Sequence, residues 1–462
     1  MIVSWMTTNQ CNLKCVHCYQ DAEEATEREL STDEAKKMID EIARTGFKIM
    51  IFSGGEPLLR PDIYELVAHA ASRGLRPVFG SNGTLITDEV ACRLKDAGAC
   101  AMGISVDSLD ATKHDKFRGL PNAHALTLAG IEACKRAGLP FQLHTTVVDW
   151  NRDEVCAITD FAEQIGAQAH YIFFLIPVGR GEYIQETSLE VLENEALLRE
   201  IMEKSAEVSI DVKPTCAPQF TRVAKQLGID TRFTRGCLAG LTYCVVGSEG
   251  IVRPCAYMTE EAGDVREQPF DEIWKTSPVF ERLRTQAYSG ACGTCDYKDG
   301  CGGCRARAAY YHDGDILAQD DYCAHGQKLN DTEENENEED RPLRCCGGVG
   351  VGAGRMRPAG RRGLGGRCAP AGAAGPRGSR SGSNGARPCH LHRRYGQRGH
   401  RGQPPARRGL HGQFRERLGT GRGHARGRLR RCANGGRLDH PKPGCGHGGG
   451  LHGGESRGHH GA

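Results

Sequence analysis

The stretch CNLKCVHCY, residues 11–19, places Cys11, Cys15 and Cys18 in a CxxxCxxC loop directly after a β-rich run, Ile2 to Thr7. Three thiolates can each take one iron of a cubane and leave the fourth iron open to an outside ligand. A single zinc wants four protein ligands, usually from paired CxxC units, and the nearest fourth donor, His17, sits inside the same tight loop. Structural zinc and plain structural cysteines are therefore the competing readings of this loop.

Outward from the loop, residues 1–176 alternate β-rich runs with helical patterns, the rhythm of repeated βα units and a parallel sheet. The strand candidates are Ile2 to Thr7, Lys48 to Ser53, Arg76 to Gly80, Ala101 to Val106, Phe141 to Val148 and Ala169 to Ile176. Ser31 followed by Glu34 predicts a capping box opening a helix through Ala43. Further helices are predicted over Pro61 to Ser72, Asp88 to Ala97, Ala123 to Ala137 and Asp153 to Ile165, with stops at Gly46, Gly74, Gly98, Gly138 and Gly166. The predicted fold class is α/β, a partial (β/α)6 TIM-like barrel with its chemistry at the strand C-terminal ends.

Those strand ends carry polar residues. SGGEP, residues 53–57, closes the second strand; its glycines permit close backbone approach to a ligand, and Glu56 is a candidate receiver of an ammonium. Ser81 and Asn82 follow the third strand, Ser105 and Asp107 the fourth, and His144 and Thr146 lie on the fifth. Each is also an ordinary way to close a barrel strand.

Composition divides the 462-residue chain. Its net charge of +2 is the sum of −21 over residues 1–340 and +23 over residues 341–462. Sixteen of the 22 cysteines lie before residue 324, and the start shows no secretory pattern, so the thiols are expected to serve metals in a cytoplasmic protein. No apolar run is long enough to span a bilayer, and no membrane partner is expected. A connecting helical region over 177–235 leads to a cysteine- and glycine-rich segment, 235–329, whose core would be metal. The expected domains are 1–205, 206–329 and 330–462. The last opens with an acidic run, residues 331–340, and continues with 34 glycines and 25 arginines but one lysine. That composition cannot build a core, and the segment is expected to be disordered. An RGG-like nucleic-acid tail is one reading. Out-of-frame translation past a frameshift near 330–345 is the favoured one, since Arg, Gly, Ala and Pro are residues of GC-rich codons; no nucleic-acid partner is expected.

CxxxCxxC with GGEP at this distance resembles the radical S-adenosylmethionine (SAM) superfamily. The resemblance implies a 4Fe-4S cluster on Cys11, Cys15 and Cys18, SAM on the open iron, and SAM contacts from Gly54, Gly55, Glu56, Ser81, Asn82, Ser105, Asp107 and His144. CLAGLTYCVVGSEGIVRPC, residues 237–255, and CGTCDYKDGCGGC, residues 292–304, resemble the SPASM domain, with two residues rather than three between Cys301 and Cys304. This implies one or two auxiliary 4Fe-4S clusters: Cys292, Cys295, Cys301 and Cys323 for one, and Cys237, Cys255 and Cys304 for the other, with Cys244 or Cys216 as a possible fourth ligand. Cys92, Cys100, Cys134 and Cys156 are expected to be buried hydrophobes.

HYIFFLIPVGRG (170–181), KPTCAPQF (213–220), TRGCLAGLTYC (234–244) and CGGCRARA (301–308) resemble the heme-forming branch of radical SAM/SPASM proteins, the AhbD and NirJ-like group. The resemblance implies a tetrapyrrole substrate, a low-potential donor such as ferredoxin or flavodoxin, and oxidative decarboxylation of iron-coproporphyrin III propionates to vinyl groups. Its alternatives are AhbC-like removal of acetate side chains from 12,18-didecarboxysiroheme and peptide modification by a SPASM maturase. Arg180, Lys213 and Arg235, with His170 and Arg305 beside them, are the candidate partners of substrate carboxylates.

Overall fold

A computed structural model describes residues 1–325. The expectations for the Gly/Arg-rich tail lie outside the described residues. The described chain forms β1 (Ile2–Met6), α1 (Thr32–Arg44), β2 (Ile49–Ser53), α2 (Ile63–Ser72), β3 (Arg76–Ser81), α3 (Asp88–Asp96), β4 (Ala101–Ser105), α4 (Ala111–Arg118), α5 (Ala123–Ala137), β5 (Phe141–Val147), α6 (Val155–Gln164) and β6 (Ala169–Phe174). There follow α7 (Val191–Glu207), β7 (Asp211–Thr215), α8 (Phe220–Leu227), β8 (Tyr243–Val246), β9 (Ile251–Arg253), β10 (Gly263–Asp264), α9 (Phe270–Thr276), α10 (Pro278–Thr285), α11 (Gly290–Thr294) and α12 (Arg305–Tyr311).

One ten-stranded sheet runs β10-β9-β8-β1-β2-β3-β4-β5-β6-β7, parallel from β8 to β7. All six predicted strands are present within about two residues. β7 and β8 extend the sheet beyond them on either side. β7 reads DVKPT, and its proline hid it; Pro214 is tolerated because β7 is an edge strand whose free side loses no ladder bond. The division expected after residue 205 falls in the last turn of α7.

Strand periodicity sorts the side chains. On β5 Phe141, Leu143, Thr145 and Val147 are buried, while Gln142, His144 and Thr146 line an internal cleft. The same alternation sends Val3, Trp5, Met50, Phe52, Phe79, Met102 and Ile104 into a core shared with α1, α2, α3 and α5. The opposite face leaves Ser4, Met6, Ser53 and Ser105 on the cleft.

Local capping follows the sequence. The Ser31 side chain accepts from Glu34 N–H and the Glu34 carboxylate from Ser31 N–H, a complete capping box. Gly138 ends α5 with φ +64°, and the other predicted stops, Gly46, Gly74, Gly98 and Gly166, are also left-handed. α4 was not predicted; Asp110 caps it by accepting from Thr112 N–H at 2.8 Å and Lys113 N–H at 3.1 Å. No helix among the described residues is long and apolar enough to cross a membrane.

Candidate functional site: a cleft between two cysteine groups

The sheet encloses a cavity of about 1010 Å³ that runs the length of its strands, from Ile2, Ile49, Arg76 and Gln168 at their N-terminal ends to Cys11, Cys15 and Cys18 and to Cys216, Cys237, Cys255 and Cys304 beyond their C-terminal ends. Cys18 stands close enough to Cys11 and Cys15 to oppose their ionisation, and burial pushes the Cys11 thiol up to about 11. Thiols so placed need a cation to hold them as thiolates, which is the condition a metal cluster meets.

The cluster loop is gripped from two sides. The Arg180 side chain donates from Nε to Cys15 O at 2.8 Å and from Nη1 to Asp21 Oδ1 at 2.7 Å and Ala22 O at 3.2 Å, while its own N–H donates to Cys18 O at 2.9 Å. Arg180 therefore braces the loop through Nε and Nη1, and it also lines the cleft. From the opposite side the end of α4 closes in. Val16 N–H donates to Phe117 O, the His17 ring stacks on Phe117 at 4.0 Å, and Arg118 reaches Cys15 Sγ at 3.9 Å.

The glycines of SGGEP serve a backbone contact. Gly55 N–H donates to Thr8 O at 2.9 Å and Glu56 N–H to Gln10 O at 2.8 Å. A Cβ on Gly55 would stand 2.2 Å from Gln10 O, and one on Gly54 2.5 Å from Thr8 O. The close approach is thus between the GGEP turn and the segment leading into the cluster loop, while Gly54 and Gly55 still line the cleft.

Glu56 faces the wall. It is fully buried, and its carboxylate accepts from Ser81 Oγ at 2.9 and 3.1 Å, Asn82 N–H at 2.9 Å and Leu58 N–H at 3.2 Å. Burial pushes its pKa up to about 7 in spite of these donors. Glu56 thereby ties the ends of β2 and β3 together.

Asp107 is also turned inward. It accepts from Arg118 Nε at 2.6 Å and Thr146 N–H at 2.9 Å. Burial, the largest single influence, opposes its ionisation, but the Arg118 guanidinium together with His17 and His114 outweighs it and holds the carboxyl below its usual range. Ser81, Asn82, Ser105, His144 and Thr146 remain on the cleft. Asn82 is tied to the cluster loop through Nδ2 to Asn12 Oδ1 at 2.9 Å. The His144 ring lies over Gly103, where a Cβ would stand 2.2 Å from it; burial first, then Arg118, lowers its pKa to about 4.

Cys216, Cys255 and Cys304 influence one another electrostatically, and each also feels Cys237. Of the two alternatives for a fourth member, the structure brings Cys216 to this group, its backbone left-handed at φ +61° just past β7. Cys244 instead packs in the main core, because Tyr243 takes the cleft-facing position of β8 and the next residue points the other way. Cys292, Cys301 and Cys323 form a second interacting group, with Cys295 on the intervening loop. Among the described residues no three such side chains converge to single-ion distance. A cubane takes one thiolate per iron, so its ligands stand farther apart than those of one ion.

Among the candidate carboxylate partners, Lys213 lies on the cleft, its ammonium 5.7 Å from the centre of the Tyr171 ring and 5.0 Å from that of Phe233. Arg235 bonds Gln286, away from the cleft lining. His170 is a core histidine held between Thr145 and Thr159 at 2.8 and 2.9 Å. Sequence reasoning missed Arg118, Arg232, Tyr19 and Tyr257, all on the cleft. The segment HDKFR following Asp107 was the available signal for Arg118.

Residues 5–162 match the model of the radical SAM superfamily and residues 237–296 that of SPASM, an iron-sulfur cluster-binding domain. The chain is 43% identical over 336 residues to an AdoMet-dependent heme synthase of Methanosarcina barkeri, covering 70% of this chain and 95% of that one. It is 32% identical over 353 residues to an Fe-coproporphyrin III synthase of the same organism, covering 70% and 87%. The fold is similar to that of Streptococcus suis SuiB bound to S-adenosylmethionine, with a TM-score of 0.56 at 14% identity, over 70% of this chain and 77% of that one. Two cysteine groups on one cleft, a third group away from its lining, a parallel βα sheet and these likenesses converge: the chain belongs to the radical SAM superfamily and carries a SPASM iron-sulfur domain.

Proposed function

We propose that this enzyme converts two propionate side chains of iron-coproporphyrin III to vinyl groups by oxidative decarboxylation, forming heme. The observation that carries the reading is the shared cavity. It brings the cysteine triad and the Cys216 quartet to one continuous space. The likeness to heme synthases supports it.

Cys11, Cys15 and Cys18 would hold the SAM cluster, and Cys216, Cys237, Cys255 and Cys304 an auxiliary one. When bound, the first cluster and SAM supply a carbon radical that takes a hydrogen atom, and the second accepts an electron. The remaining work falls to the chain. Lys213 places an amine on the cleft for a propionate, beside the Tyr171 and Phe233 rings; burial lowers its pKa, and a bound carboxylate would favour its charged form. Tyr171 and Phe173 give the macrocycle an apolar wall. Gly54, Gly55, Ser81, Asn82 and Ser105 edge the space beside the triad, where SAM would lie. Loss of carbon dioxide from a propionate radical leaves a vinyl group and one surplus electron per side chain. A cysteine quartet on the same cleft is where that electron would go.

The test is an anaerobic assay of reconstituted protein with SAM and dithionite, offering iron-coproporphyrin III and 12,18-didecarboxysiroheme in parallel, with products read by mass spectrometry. Two successive losses of carbon dioxide from the coproporphyrin are expected. Acetate loss from the other substrate, or 5′-deoxyadenosine with neither tetrapyrrole changed, would overturn the proposal in favour of the deacetylase or of a peptide substrate.

A further inference from the structure

Two arginines two residues apart on α12 are buried in the cysteine-rich region and differ in how their charge is met. Arg307 is 2% exposed and faces the Asp320 carboxylate at 3.2 and 3.3 Å. Arg305 is 1% exposed, and among the described residues it makes no ion pair. Its guanidinium donates to Ala318 O at 2.6 Å, Ile316 O at 3.2 Å and Gly303 O at 3.3 Å, and lies 4.5 Å from the centre of the Tyr288 ring. These neutral partners satisfy its N–H groups, and the neighbouring Asp320 carboxylate is taken by Arg307, Gln219 and the Cys304 N–H, so the Arg305 charge has no anion bonded to it.

The remaining contact is with sulfur. Arg305 Nη2 stands 4.0 Å from Cys292 Sγ, which also accepts from Asp320 N–H at 3.4 Å. Gly303 is required for this approach: at φ +63°, a Cβ there would meet Arg305 Nη2 at 2.5 Å and Cys292 Sγ at 3.1 Å. A 4Fe-4S centre on four thiolates is an anion and becomes more negative by one unit on reduction, so a fixed neighbouring cation favours the reduced form.

We propose that Arg305 is the counter-ion of an iron-sulfur cluster on Cys292, Cys295, Cys301 and Cys323, and that its charge raises the reduction potential of that cluster. Arg305 is a positioning and tuning residue here rather than a catalytic one. The inference rests on these cysteines forming a cluster site and is independent of which tetrapyrrole is turned over.

The test is an anaerobic redox titration of the reconstituted full chain, without SAM or substrate, followed by electron paramagnetic resonance. The signal of this cluster is the one that Cys301→Ala removes; if that variant removes none, the site and the inference both fail. Arg305→Gln is expected to lower the midpoint of that signal and leave the other clusters unmoved, whereas Arg305→Lys, which keeps the charge, stays near wild type. An unchanged midpoint in Arg305→Gln would overturn the proposal. If the Gln variant does not retain the cluster, Arg305→Lys decides: a retained cluster at the wild-type midpoint supports the role of charge, and a displaced midpoint or a lost cluster overturns it.

Discussion

Arg118 donates to Asp107 at 2.6 Å, with the carboxylate fully buried and the arginine nearly so. The pair joins the end of α4 to the end of β4, and the same guanidinium reaches Cys15 Sγ at 3.9 Å. Asp107→Asn would leave a buried guanidinium unmatched, at about 3–5 kcal/mol. A lowered thermal midpoint is expected, partly restored when Arg118→Gln is added; equal midpoints for Asp107→Asn and wild type would refute the pairing.

The contact between Gly55 and Gln10 permits no side chain. Gly55→Ala places a Cβ 2.2 Å from Gln10 O, and separating the two segments is expected to cost about 1–3 kcal/mol and displace the cluster loop. Iron bound at the triad, followed by its spectroscopic signal, should fall while the auxiliary centres persist.

Burial raises the Glu56 pKa from 4.5 to about 7, so between these values the folded chain holds a proton that the unfolded chain releases. Stability therefore declines as pH rises from 4.5 to 7 and levels beyond it, by on the order of 3 kcal/mol. Glu56→Gln, neutral throughout, should flatten that slope in anaerobic unfolding of the loaded protein at pH 5 and pH 7.5.

Cys216 and Cys244 separate by iron analysis. Cys216→Ala should lower the iron content by about one cluster, because its sulfur lies with Cys237, Cys255 and Cys304. Cys244→Ala should keep all its iron, since that side chain belongs to the core behind β8.

Much of the catalytic sheet was legible in the sequence. Six strands, five glycine stops and the Ser31 capping box follow from period-two patterns and local backbone preferences, which neighbouring residues settle among themselves. Spacing also exposed the triad, since a cluster loop is a local object. β7 escaped because a proline and a lysine hide an edge strand, and α4 because its eight residues carry little apolar periodicity.

The amino-acid sequence by itself determined the alternating βα order, the CxxxCxxC loop, the GGEP turn and the pool of cysteines in the second domain. Only the tertiary structure decided that Glu56 and Asp107 face the wall, that Arg180 braces the cluster loop, and that Cys216 rather than Cys244 joins the cleft. The reason is geometric: a local pattern states which face a side chain takes, but its partner is chosen by whatever distant segment the sheet brings opposite. Arg118 meeting Cys15 across 103 residues is one such meeting, and no local rule contains it.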